Sequence, residues 1–187
     1  LTLRTHDLPE HFGGADGVFK AQSNEAFHRL IARFVDFYAD SLLNPHWGEQ
    51  VEIGNDNTLK ISMACQGLDK AQAKAVWQPF FNWVKASPKD FTIVEEARTG
   101  VRKAQSWWEI DGNNSMIRDT RPGASKNHGW WQGDQGQVGA YLHGFDSLWM
   151  PAALLQKGQR SRLVDALFAG SRHKKIGLHF NKGLAGA

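Results

Sequence analysis

The chain has 187 residues, 41% of them apolar and 22% charged, with 22 Lys and Arg against 19 Asp and Glu for a formal charge of +3. That length supports one substantial domain over residues 1–187, and the mild, dispersed positive charge gives no reason to expect a phosphate-backbone groove. The single Cys65 excludes an intramolecular disulfide and any CxxC site, and no apolar run reaches the roughly 18 residues of a membrane span.

The opening Leu1-Thr2-Leu3-Arg4-Thr5-His6 alternates as a strand from its first residue and reads as though cut from a larger chain. Gly13-Gly14 is expected to break the pattern before a second short strand around Gly17 to Ala21. Ser23 or Asn24 can cap a helix whose apolar face is Phe27, Leu30, Ile31, Phe34, Val35, Tyr38 and Leu42, ended by Asn44-Pro45. Gln50 to Ile53 and Leu59 to Cys65 form a hairpin across Gly54-Asn55-Asp56-Asn57, with Cys65 on the core side beside Leu59, Ile61 and Met63. Asp69 can cap a second helix that buries Val76, Trp77, Phe80, Phe81 and Val84, and Pro79 should kink or divide it. A strand from Phe91 to Glu95 follows. Strand, helix, hairpin, helix and strand in this order predict an α+β, ferredoxin-like antiparallel sheet with its helices on one face.

From Thr99 to about Gly144 regular patterns fade and Gly, Asn, Asp, Gln and Trp dominate. Trp107, Trp108, Trp130 and Trp131 argue against disorder, and such a segment in a compact domain is commonly functional. Arg121 within Asp119-Thr120-Arg121-Pro122-Gly123, together with Trp130 and Trp131, supplies a guanidinium and indoles suited to a ligand, although packing explains tryptophans as well. Val138 to Gly144 reads as a strand with Tyr141 and His143 on one side, able to reach one substrate or to form a half-buried pair. Leu163, Val164, Leu167 and Phe168 stripe a last helix. The terminal strand then sets Ile176, Leu178 and Phe180 against Gly177, His179 and Asn181, a polar face that fits either a solvated edge or a planar ligand.

The scattered histidines lack metal-ligand spacing, and neither GxGxxG, GxxxxGK[ST] nor GxSxG occurs. A cofactor would therefore be held mainly elsewhere.

The opening Leu1 to Pro9, the ferredoxin-like pattern, Trp149-Met150-Pro151-Ala152-Ala153-Leu154-Leu155 and the closing Leu178-His179-Phe180-Asn181-Lys182-Gly183-Leu184-Ala185-Gly186 together resemble the substrate-binding, or cap, domain of FAD-linked oxidases. The likeness is to the vanillyl-alcohol oxidase and p-cresol methylhydroxylase superfamily, especially bacterial berberine-bridge-enzyme-like members. It implies an FAD-binding domain in the same parent chain, a cap sheet laid over the flavin ring, and oxidation of a small alcohol, amine or sugar-like substrate by hydride transfer. The glutamate before a Pro-Tyr-Pro-His-Arg segment in plant members has no counterpart here. Tyr141, His143 and Glu109 are candidates for the proton acceptor by their chemistry alone. Under this resemblance His179 and Asn181 meet the flavin or substrate, while Trp130, Trp131 and Arg121 hold the substrate.

The alternative is a free-standing ferredoxin-like module that binds a small molecule or protein without chemistry. Neither reading involves nucleic acid, since the central strands lack outward aromatics and a basic face. A cytoplasmic location is expected, and the tryptophans are compatible with a homo-oligomer.

Overall fold

Apolar residues at three-and-four spacing build the first helix, α1 (Asn24–Phe37), in the computed structural model, which describes residues 7–137 and 148–180. The Ser23 hydroxyl caps it by accepting from the Ala26 N–H at 3.1 Å. Phe27, Leu30, Ile31, Phe34 and Val35 are buried. The helix widens into a π-turn over Tyr38–Leu42, where the Leu43 N–H donates back to the Tyr38 carbonyl.

Two compact units divide the chain, one comprising Leu1–Glu10 with Lys103–Trp149 and the other His11–Arg102 with Met150–Ala187. The second unit carries a five-stranded antiparallel sheet in the order β4-β1-β3-β2-β7. Its strands are β1 (His11–Ala21), β2 (Trp47–Ile53), β3 (Thr58–Gln66), β4 (Phe91–Lys103) and, last in the chain, β7 (Ile176–Phe180). The first four give the ferredoxin-like order, and β7 extends the sheet along the free edge of β2, pairing Leu178 with Val51.

Alternation sorts the side chains between the two faces. Ala15, Phe19, Val51, Ile53, Leu59, Ile61, Met63, Cys65 and Leu178 turn inward and are buried. They meet α1, α2 (Lys70–Lys85) and α3 (Arg160–Ser171). The rings interlock: Phe34 lies edge-on to Phe80 at 6.1 Å, and Trp77 stacks on Phe81 at 5.3 Å. Burial of each large apolar side chain contributes about 1.5–3 kcal/mol. Arg160 of α3 ties the end of α1 to this layer, donating to Asp36 at 3.1 Å and Asp40 at 2.7 Å. Cys65 is a core residue, as its place in the strand pattern requires, and burial pushes its thiol up to about 11.

Three local expectations differ from the structure. The glycine pair does not interrupt β1. Gly13 lies against the Gly100 carbonyl oxygen and Gly14 against that of Met63, so both serve close strand approach where a Cβ would collide. β4 continues past Glu95 to Lys103, although its outward residues include no apolar side chain beyond Val94 to signal a strand. Finally, α2 is not divided at Pro79 but runs on to Lys85. Pro79 leaves the Ala75 carbonyl without its helical donor, a cost of about 3 kcal/mol. Trp77, Phe80, Phe81 and Val84, all buried along one stripe, offset it.

The smaller unit is organised by a short hairpin of β5 (Met116–Arg118) and β6 (Gly129–Trp131), flanked by 3-10 turns at Ala104–Trp107 and Gln132–Gln137. No helix among the described residues is long and apolar enough to cross a membrane.

The capping box of α2 joins the Asp69 carboxylate to the Gln72 N–H at 2.8 Å and the Gln72 side chain to the Asp69 N–H at 2.9 Å. Asp69→Ala should lower stability by about 1 kcal/mol and Trp77→Ala by about 3–5 kcal/mol. Urea titration of the two variants checks both the size and the order of these losses.

Candidate functional site

The face of the large sheet opposite the helices is assembled by strand register. Asp16, Ser62, Gln50 and His179 are successive neighbours across β1, β3, β2 and β7. Arg98 of β4 extends the row by donating to Asp16 through Nε at 3.0 Å and Nη2 at 2.7 Å. The adjacent row holds Val18, Lys60, Glu52 and Gly177, and Gln50, Glu52, Lys60 and Ser62 together line a shallow depression. On the other side of the polar row lie Gly14, Ala64 and Gly48, again in register. This face therefore has a strip bearing nothing larger than a methyl, bordered by a hydroxyl, an amide and an imidazole. Among the described residues, a Cβ at Gly48 would meet only the Phe180 carbonyl oxygen, at an ordinary contact distance of 3.5 Å.

The terminal strand is fixed in this register from its other side. Phe180 stacks on Tyr38 at 4.1 Å and 25°, and burial pushes the Tyr38 hydroxyl up to about 12. His179 and Gly177 are correspondingly exposed on the open face. Asn181 lies outside the described residues. Next to Gly48, Glu49 takes a φ of 71°, a left-handed conformation that turns its side chain to solvent from a position alternation would assign to the core.

In the smaller unit, alternation places Ile117, Asp119, His128 and Trp130 on one face of the hairpin and Met116, Arg118, Gly129 and Trp131 on the other. The ladder continues one step beyond the strands, the Asp119 N–H donating to the His128 carbonyl at 2.9 Å. The Asp119 carboxylate is buried and filled with donors. One oxygen accepts from the Arg121 N–H at 3.0 Å and Nε at 2.9 Å, the other from Arg121 Nη2 at 2.6 Å and His128 Nδ1 at 2.6 Å. Hydrogen bonds from the Arg121 guanidinium, then from its backbone N–H, with His128 adding to them, hold the Asp119 carboxyl well below the usual carboxylate range. An ionised carboxylate can only accept, so His128 Nδ1 carries the hydrogen, and in the neutral ring Nε2 is left as an acceptor. The His128 side chain is 54% exposed and lies edge-on to the half-buried Trp130 at 6.3 Å.

The residues singled out from the sequence are distributed as follows. Arg121 and Trp130 share the Asp119 side of the hairpin, with Arg121 engaged by the carboxylate. Trp131 points to the opposite side and tilts against Trp107 at 5.4 Å. Glu109 is exposed and lines an open cleft of about 340 Å³ with Trp108, Ile110, Asp111, Arg118 and Asn127. His179 belongs to the larger unit. Tyr141 and His143 lie outside the described residues. Sequence reading did not single out His128, nor Gln50 and Ser62. The available signal was Asp119 and His128 flanking the turn-forming Pro122-Gly123, a spacing that makes them cross-strand partners.

Comparison with protein-family models, with curated proteins and with solved structures finds no match.

Because Asp119 has a depressed carboxyl in the folded chain, its contribution to hairpin stability is present above the ordinary carboxylate range, about pH 4, and is lost as pH falls through and below it. Acid titration followed by the indole resonance of Trp130 should show the hairpin loosening before the large sheet unfolds. In Asp119→Asn the same signal should already be shifted at neutral pH and should change little on acidification.

Proposed function

We propose that the chain is the substrate-binding domain of an FAD-dependent oxidoreductase acting on a small alcohol, amine or sugar-like compound. The observation that carries this reading is the sheet face opposite the helices, with its flat strip of Gly14, Ala64 and Gly48. A strip without projecting side chains suits the face of a fused ring system, and the bordering Ser62 hydroxyl, Gln50 amide and His179 imidazole suit the polar edge of one. The residues thus fit a flavin. When bound, that group accepts hydride from the substrate carbon.

The work of this chain is positional. Ser62, Gln50 and His179 would hydrogen-bond the ring edge and fix its orientation, while the sheet would shield one ring face from water. Asp16 is already engaged by Arg98, which leaves the amide, hydroxyl and imidazole as the adaptable members of the row. The reading carries with it an FAD-binding domain in the same polypeptide and a cytoplasmic location.

The test is made on the longer polypeptide that carries this sequence. It should purify with the visible absorbance of a bound flavin. Gly48→Val, where the first added carbon meets nothing closer than the Phe180 carbonyl oxygen among the described residues, should shift that band and lower flavin retention while leaving thermal unfolding nearly unchanged. A colourless product would replace the oxidoreductase reading with a binding module, and an unshifted band in Gly48→Val would remove the sheet face from the site.

A further inference from the structure

The Asp119 carboxylate closes the hairpin through four donors, and the same closure fixes one exposed side chain. Arg121 alone supplies three of the four donors that fill the carboxylate. The fourth comes from His128, whose ring is thereby held in one tautomer with Nδ1 inward and Nε2 directed away from its partner. A histidine so fixed reads ligand protons in one sense: the neutral ring accepts from an O–H and offers nothing to a carbonyl or ether oxygen.

We propose that His128 is a specificity-determining residue that accepts a hydrogen bond from a ligand hydroxyl at Nε2, with Asp119 as the positioning residue that fixes its tautomer. The half-buried Trp130, on the same hairpin face and edge-on to His128, supplies the wall against which the ring of such a ligand lies. Arg121 is engaged in holding the carboxylate and is not the group that meets the ligand. Trp131, on the opposite face against Trp107, takes no part. The assignment rests on the reading of the chain as a substrate-binding domain and narrows its substrate to a compound bearing a ring and a free hydroxyl.

The 187-residue chain, without flavin, is titrated with two matched pairs of probes: benzyl alcohol and benzyl methyl ether, and cyclohexanemethanol and its methyl ether. Binding is followed by the ring nitrogens of His128 and the indole N–H of Trp130 in nitrogen-15 spectra. Each alcohol should bind about three- to tenfold more tightly than its ether, the worth of one net hydrogen bond. The two pairs tell whether Trp130 favours an aromatic or a saturated ring. His128→Phe should remove the alcohol preference, and Asp119→Asn should reduce it while the His128 nitrogens take on the signature of mixed tautomers. Equal binding of alcohol and ether to the native chain, or probe-induced shifts confined to residues other than His128 and Trp130, would overturn the proposal. A colourless longer polypeptide would sink the flavin reading and leave the alcohol-to-ether ratio as measured.

Discussion

One-sided burial of the five-stranded sheet is the constraint from which the larger unit follows. Phe34, Phe80, Trp77 and Phe81 form a continuous aromatic layer on one face, and α1, α2 and α3 are all committed to covering it. Strand geometry then forces every second residue onto a face that no helix among the described residues covers. The composition of that face is therefore a separate choice from the composition of the core. In β3 the two choices are interleaved residue by residue, Leu59, Ile61 and Met63 inward, Lys60 and Ser62 outward. The terminal strand repeats the division, with Phe180 held on Tyr38 and His179 exposed on the other side.

The smaller unit solves a different problem. Two strands of three residues bury too little apolar surface to hold themselves together. Asp119 substitutes polar closure for core: its carboxylate draws in the turn through Arg121 and the returning strand through His128. On the opposite face Arg118 bonds the Lys126 carbonyl and the Asp111 carboxylate, and Trp131 leans on Trp107. A hairpin closed this way is rigid where the charges meet, and rigidity is what the recognition role proposed for His128 requires.

The readability of the chain tracks the physics that sets each part. Periodicity located α1, α2, α3 and the hairpin of β2 and β3, because burial against one layer imposes it directly. The caps at Ser23 and Asp69 were equally visible, since their side chains act within three residues. Gly13-Gly14 was misleading because the cause of the pair lies on other strands, at Gly100 and Met63. The open face was legible in the terminal strand, at Gly177 and His179. Ser62 and Gln50 look like ordinary outward polar residues until register places them beside it. The Asp119 and His128 pairing had no periodic pattern to reveal it, being set by a turn and a ladder of minimal length.

Between the last residue of β4 and the start of α3 the chain makes a long excursion, while the strands and helices on either side build the same sheet and core. In polymer terms this excursion is a single closed loop of the larger unit. The entropy of closing a flexible loop grows only logarithmically, by about 0.6 kcal/mol for each doubling of length. A change in its length therefore costs the scaffold little so long as Leu154 and Leu155, which pack on the core, are kept, whereas the register of β7 against β2 leaves no such latitude. The architecture thus separates a part in which variation is cheap from a part in which it is not, and new ligand preferences have room to arise in the first without remaking the second.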